Sequence, residues 1–152
     1  NGNIKFNDYK FPIAKGTIGQ VLEIEDSVGT LEWKNNNIYY GTGIDSTLCV
    51  PNVVFPIGYV TNGLIIDTIC VLMTATGASN PNITPKYYYG TDISAAGTAI
   101  ITSPAAVTSK TAVTKISTFN NANIQGGNML WMKFDAVSVK PRTIVVQSIG
   151  HK

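Results

Sequence analysis

The sequence predicts an all-β protein whose larger part is an antiparallel β-sandwich of the jelly-roll kind. Three observations carry this. Ile, Val and Thr together number 48 against 6 Leu in 152 residues, and β-branched side chains suit a pleated surface better than a helix. Short apolar runs recur between Gly, Pro and Asn turn signals. No window sustains a 3.6-residue apolar stripe, and the best helical candidate, 95–115, is broken by Pro104 and crowded with Thr and Val.

Taken in order, residues 3–6, 9–13, 19–24 and 30–34 read as short strands, with turns at Lys15-Gly16 and Ser27-Val28-Gly29. A unit of this size holds too little apolar surface for its own core. Asn35-Asn36-Asn37 is a polar break, and 38–43 leads into the second part. The division is therefore expected as 1–43 and 44–152. Beyond it, 46–50, 53–59, 64–75, 86–89, 98–102, 112–117, 129–139 and 143–149 read as eight strands. Turn signals such as Pro51-Asn52, Thr61-Asn62-Gly63 and Gln125-Gly126-Gly127-Asn128 fall between them, and that spacing fits a sandwich or jelly roll.

Charged residues make up only 13% of the chain, about half the usual share, so the surface meets water through hydroxyls and amides. That leaves large areas able to pack against sister chains. The formal net charge of +2 comes from ten Lys and Arg142 with no basic run. A nucleic-acid partner is excluded on that ground, since readers of nucleic acid cluster Lys and Arg among stacking aromatics. No stretch is long and apolar enough to suggest membrane insertion. The sequence begins at Asn1 without a signal peptide, and its first residues are expected to continue from a shaft.

The inventory for catalysis is thin. His151 is the only histidine and stands one residue from the end, where a solvated or tag-like role is expected. Past residue 43 the only acids are Asp45, Asp67, Asp92 and Asp135, without the pairing a glycosidase needs. No clustered oxygens suggest a metal, and no cofactor motif occurs. Asp67 is expected to face outward from its apolar strand, sharing a face with Ile65 and Ile69 at a subunit interface. Cys49 and Cys70 sit in apolar runs and read as buried free thiols, ahead of a disulfide.

The stretch Phe11-Pro12-Ile13-Ala14-Lys15-Gly16-Thr17-Ile18-Gly19-Gln20-Val21-Leu22, followed by Gly29-Thr30-Leu31-Glu32-Trp33, resembles the FPxxxGxxGQVL…GxLxW segment of bacteriophage tail fibres. In those proteins it stands just before a receptor-binding head. The closing runs 127–139 and 141–152 are also similar to the last hairpin of such heads, whereas 44–123 matches no family pattern. The resemblance implies a trimeric collar sealed by Val21, Leu22, Leu31 and Trp33. It also implies a non-catalytic head at a virion fibre tip, outside the cell, that attaches to a host-cell glycan or protein. A structural capsid-decoration or fibre-assembly role is the alternative, and a surface-polysaccharide depolymerase a third.

Receptor contact is then expected in the unmatched middle, at the end of the head facing away from Asn1. Tyr87 and Tyr89 share one face of a strand while Tyr88 takes the other. Rigid aromatics beside small polar loops give contact area at low entropic cost, which singles out Tyr87 and Tyr89 with Ser79, Asn80 and Ser103.

Overall fold

The computed structural model describes residues 20–24, 30–35, 37–75 and 77–152. The strands expected at 3–6 and 9–13, and the Phe11 to Gly19 part of the fibre-like motif, lie outside the described residues. The rest is all-β. Strands β1 (Gln20–Ile24) and β2 (Leu31–Asn35) form a two-stranded antiparallel sheet in which Leu22 stands opposite Trp33. Val21, Leu22, Leu31 and Trp33 thus all belong to this hairpin.

The other nine strands are β3 (Ile38–Asp45), β4 (Val54–Val60), β5 (Leu64–Thr74), β6 (Asn82–Gly90), β7 (Thr98–Ala99), β8 (Thr114–Ile116), β9 (Asn123–Ile124), β10 (Asn128–Val139) and β11 (Thr143–His151). They build two antiparallel sheets, one in the order β3-β11-β5-β8 with β9 also on β5, the other β4-β10-β6-β7. Both contribute to one hydrophobic core, Ile44, Ile66, Val71 and Val146 from the first and Ile57, Ile83, Leu130, Met132 and Phe134 from the second. This is the layering of a β-sandwich.

Alternation along the strands decides which residues point inward. In β11, Ile144, Val146, Ser148 and Gly150 are buried while Val145 and Gln147 are exposed. The sheets meet closely at Gly58, where a Cβ would overlap the Tyr40 ring from the opposite sheet. Here glycine is required by approach rather than by backbone conformation.

Three local readings change. Residues 38–43, which the sequence predicts as a lead-in, belong to β3 (Ile38–Asp45), and that strand pairs with β11 over eight positions. This strand runs across the division drawn at 43/44, and the Asn35-Asn36-Asn37 break falls between β2 and β3. Residues 46–48, taken as the start of a strand, form a single 3-10 turn. Asp45 causes it, because its Oδ1 accepts from the Thr47 backbone N–H and hydroxyl, each at 2.9 Å, local bonding that competes with a strand ladder. Those bonds also hold the Asp45 carboxyl below the usual carboxylate range. Finally, β6 begins four residues earlier than expected and contains Pro85, opposite Phe134 beside a bulge, the kind of site where a sheet tolerates proline.

Candidate functional site

The antiparallel strands give the sandwich two ends. The near end carries Ile38, Leu64, Gly90 and His151, and the far end Asp45, Thr74, Asn82 and Thr143. Between the sheets, on one flank, a cleft of about 510 Å³ opens between the segment 101–107 and the segment 114–120. That volume lies within the usual range for ligand pockets, about 300–1,000 Å³.

Both walls of the cleft are set by backbone pairing. Ile100 donates to the Tyr87 carbonyl at 2.8 Å, and Val107 and Ile83 exchange hydrogen bonds at 2.7 and 3.2 Å. These bonds strap 100–107 along the edge of β6. On the other side β8 pairs with β5 through Ile69 opposite Ile116. Asn120 ties the walls together, its backbone N–H donating to the Ile100 carbonyl at 2.9 Å while its Oδ1 accepts from the Thr102 N–H and hydroxyl at 2.9 Å each.

The floor is aliphatic, from Pro85, Ile101, Val107 and Ile116, and the rim carries Thr102, Ser103, Ser117, Thr118 and Asn120. Lys115 is the single charged residue of the lining. Its register opposite Cys70, which is only half-buried, turns it toward the outer face of the sheet. The cleft therefore offers apolar contact below and hydroxyl and amide groups above, with no carboxylate, histidine or thiol among its lining residues.

Of the residues singled out from sequence, Ser103 lines this cleft. Ser79 and Asn80 are exposed in the β5–β6 connection at the far end. Lys110 holds that connection by donating from Nζ to the carbonyls of Gly77 and Ala78 at 2.9 and 2.8 Å. Tyr89 is at the near end, half-buried against the core. Tyr89 and Asn82 stand seven positions apart on β6, about 20–25 Å at roughly 3.3 Å per residue, so Tyr89 and the Ser79–Asn80 loop do not form one surface.

Tyr87 corrects the expectation placed on it. It is 0% exposed because its strand neighbour on β10 is Met132, whose row with Leu130 and Phe134 faces the core. Its hydroxyl has no hydrogen-bond partner among the described residues, and burial pushes the phenol far above the ordinary tyrosine range. In this fold Tyr87 presents no surface to a partner. The outward tyrosine of the trio is Tyr88, stacked on Trp131 with centroids 6.2 Å apart at 18° and carrying Lys133 Nζ 5.6 Å above its ring.

Trp131 also points outward yet is fully buried, because the connection between β6 and β7 folds back over the indole. A Cβ at Gly97, whose φ is +67°, would run into the indole ring. Next to this pair, Lys86 and Asp135 form an ion pair at 2.8 Å, and hydrogen bonding to that carboxylate raises the Lys86 ammonium above its ordinary value.

Two further expectations change at the near end. His151 is no loose end. It closes β11 opposite Ile65, and its Nδ1 lies 2.8 Å from Asp67 Oδ2. Asp67 and Ile65 do face outward, but Ile69 is buried, because the register of β5 against β11 shifts between Ile149 and Gly150. Cys49 is enclosed and Cys70 half-buried, both free, and burial pushes the Cys49 thiol up.

Among the described residues no three His, Cys, Asp or Glu side chains come together as metal ligands, and no helix is long and apolar enough to cross a membrane. Compared with known proteins, the chain matches no family model and no curated protein.

Proposed function

We propose that this chain is the receptor-binding tip of a trimeric phage fibre, a virion surface module that attaches to a host-cell glycan or protein and catalyses no reaction. The reading begins from the fibre-like motif of residues 11–33 and its expected collar at Val21, Leu22, Leu31 and Trp33. Strand order supports it as well. With β3 as the first strand of the sandwich and β8 and β9 as one interrupted strand, the sheets read 1-8-3-6 and 2-7-4-5, the double Greek key of a jelly roll.

The observation that carries the recognition role is the flank cleft. It lies within the stretch of sequence that resembles no shared scaffold, it includes Ser103, and its lining suits holding a polar, uncharged surface group. Ser79 and Asn80, beside it in sequence order but at the far end, are a second contact region; Tyr87 is a packing residue in the same reading.

Screening the purified chain against a glycan array, and separately against outer-surface proteins of candidate hosts, tests the proposal. Saturable binding that is lost when Ala106→Trp fills the cleft is expected. Turnover of a purified surface polysaccharide would replace it with an enzymatic role.

A further inference from the structure

The first sheet is unlike the second in how it treats its outward apolar side chains. On the β4-β10-β6-β7 sheet the largest of them, Trp131, is covered by the chain's own β6–β7 connection, and charged groups flank it, while the exposed Tyr59 and Val139 stand apart at opposite ends of that sheet. On the β3-β11-β5-β8 sheet the outward side chains stay open. Tyr39 is 56% exposed, Val145 46%, Leu72 39% and Ile65 38%.

These are not scattered. Pairing registers set Val145 between Gly43 and Leu72, Gln147 between Gly41 and Cys70, and Ile149 between Tyr39 and Thr68, with Ile65 opposite His151. The middle of the face thus holds aliphatic, thiol, amide and glycine groups, with Lys115 beside Cys70 on the β8 edge and the Asp67–His151 pair at the near-end rim. An apolar, charge-poor centre with a polar rim is the anatomy of a subunit contact.

Gly43 adds an independent observation. It lies inside β3, its φ needs no glycine, and a Cβ there would meet no described atom within 4 Å. A glycine inside a strand weakens it, nothing within the described fold requires one here, and its bare backbone leaves this point of the face open to close approach by another surface.

We infer that this outer face of the β3-β11-β5-β8 sheet is where copies of the chain pack on one another. The inference rests on the trimer part of the proposed function and locates its main contact. Size agrees. With β11 nine residues long, a rise of roughly 3.3 Å per residue and strands roughly 4.8 Å apart give the four-stranded face a plane of about 500 Å². That supplies the greater part of the about 800 Å² that one partner contributes to a stable contact. Connectivity agrees too, since only residues 36 and 37 separate β2 from β3. Copies joined at the β1–β2 hairpin therefore bring their β3 strands together.

The test is the mass in solution of the parent chain, Val145→Asp, Leu72→Asp and, on the other sheet, Lys133→Ala. Light scattering should give the parent and Lys133→Ala near three times the 16.3 kDa of one chain, and both aspartate variants near the mass of one chain with the parent's far-UV circular dichroism. A trimeric parent whose aspartate variants remain trimeric overturns the interface and leaves the trimer standing. A monomeric parent overturns both. Alkylation of the parent needs no variant. Cys70 lies on the face, so its labelling should slow several-fold on going from dilute, dissociated chain to associated chain, and equal rates in the two states overturn the inference.

Discussion

Replacing Tyr87 by Phe isolates one atom. The ring is enclosed at 0% exposure and its hydroxyl has no partner among the described residues. A buried polar group left unpaired costs about 1–3 kcal/mol. Removing it leaves a void of roughly 10–15 Å³, which at about 24 cal/mol per Å³ returns only about 0.2–0.4 kcal/mol of destabilisation. Tyr87→Phe should therefore stabilise the chain by about 0.5–2.5 kcal/mol, a rise in Tm of about 1–10 °C for a domain of this size.

The same variant has a pH signature. Burial holds the native phenol protonated well past the ordinary tyrosine range, so above about pH 10 the unfolded chain releases this proton and the native chain keeps it. The unfolded state then binds fewer protons, and stability falls with rising pH by about 1.4 kcal/mol per unit for this group. Tyr87→Phe removes that slope. Urea melts of parent and variant from pH 8 to 11 measure both effects. A variant less stable than the parent at pH 8, or parallel pH dependences, would refute the account of Tyr87 as an unpaired core residue.

Other expectations are shorter. Gly97→Ala places a Cβ at positive φ against the Trp131 indole; about 1–2 kcal/mol of backbone strain and about 1–3 kcal/mol of overpacking should lower Tm by about 4 °C or more, and an unchanged melt would mean that the β6–β7 connection does not cover Trp131. Ala106→Trp should leave Tm within about 2 °C, since surface changes typically stay within about 0.5 kcal/mol, while removing receptor binding. Lys110→Met frees the carbonyls of Gly77 and Ala78 and should speed amide exchange at 77–80 without moving global stability by more than about 1 kcal/mol.

Period-2 alternation made much of the sandwich legible. The apolar rows of β5, β10 and β11 are plain in the sequence, and Asn52, Gly63 and Gly127, each at a predicted turn, do take positive φ. Alternation also puts Tyr87 and Tyr89 on one face and Tyr88 on the other, but it does not say which face is inside. That is decided by β10, more than forty residues away, whose Leu130, Met132 and Phe134 draw Tyr87 inward.

Strand β3 was missed because its sequence, Ile38–Asp45, is rich in Tyr and Gly, and its pairing depends on β11 a hundred residues later. His151 and Asp67, 84 positions apart, meet only because of a register shift that no local signal announces. The cleft was half legible: Ser103 was singled out for its small polar neighbourhood, while the 114–120 wall is brought to it by β5.

Attachment itself is the central claim. Labelled chain incubated with a panel of bacterial strains and counted by flow cytometry, with Ala106→Trp in parallel, measures it most directly. The account predicts saturable binding to a restricted set of strains, lost in the variant although its melt matches the parent's. Parent chain that binds no strain, or parent and variant that bind alike, would contradict it.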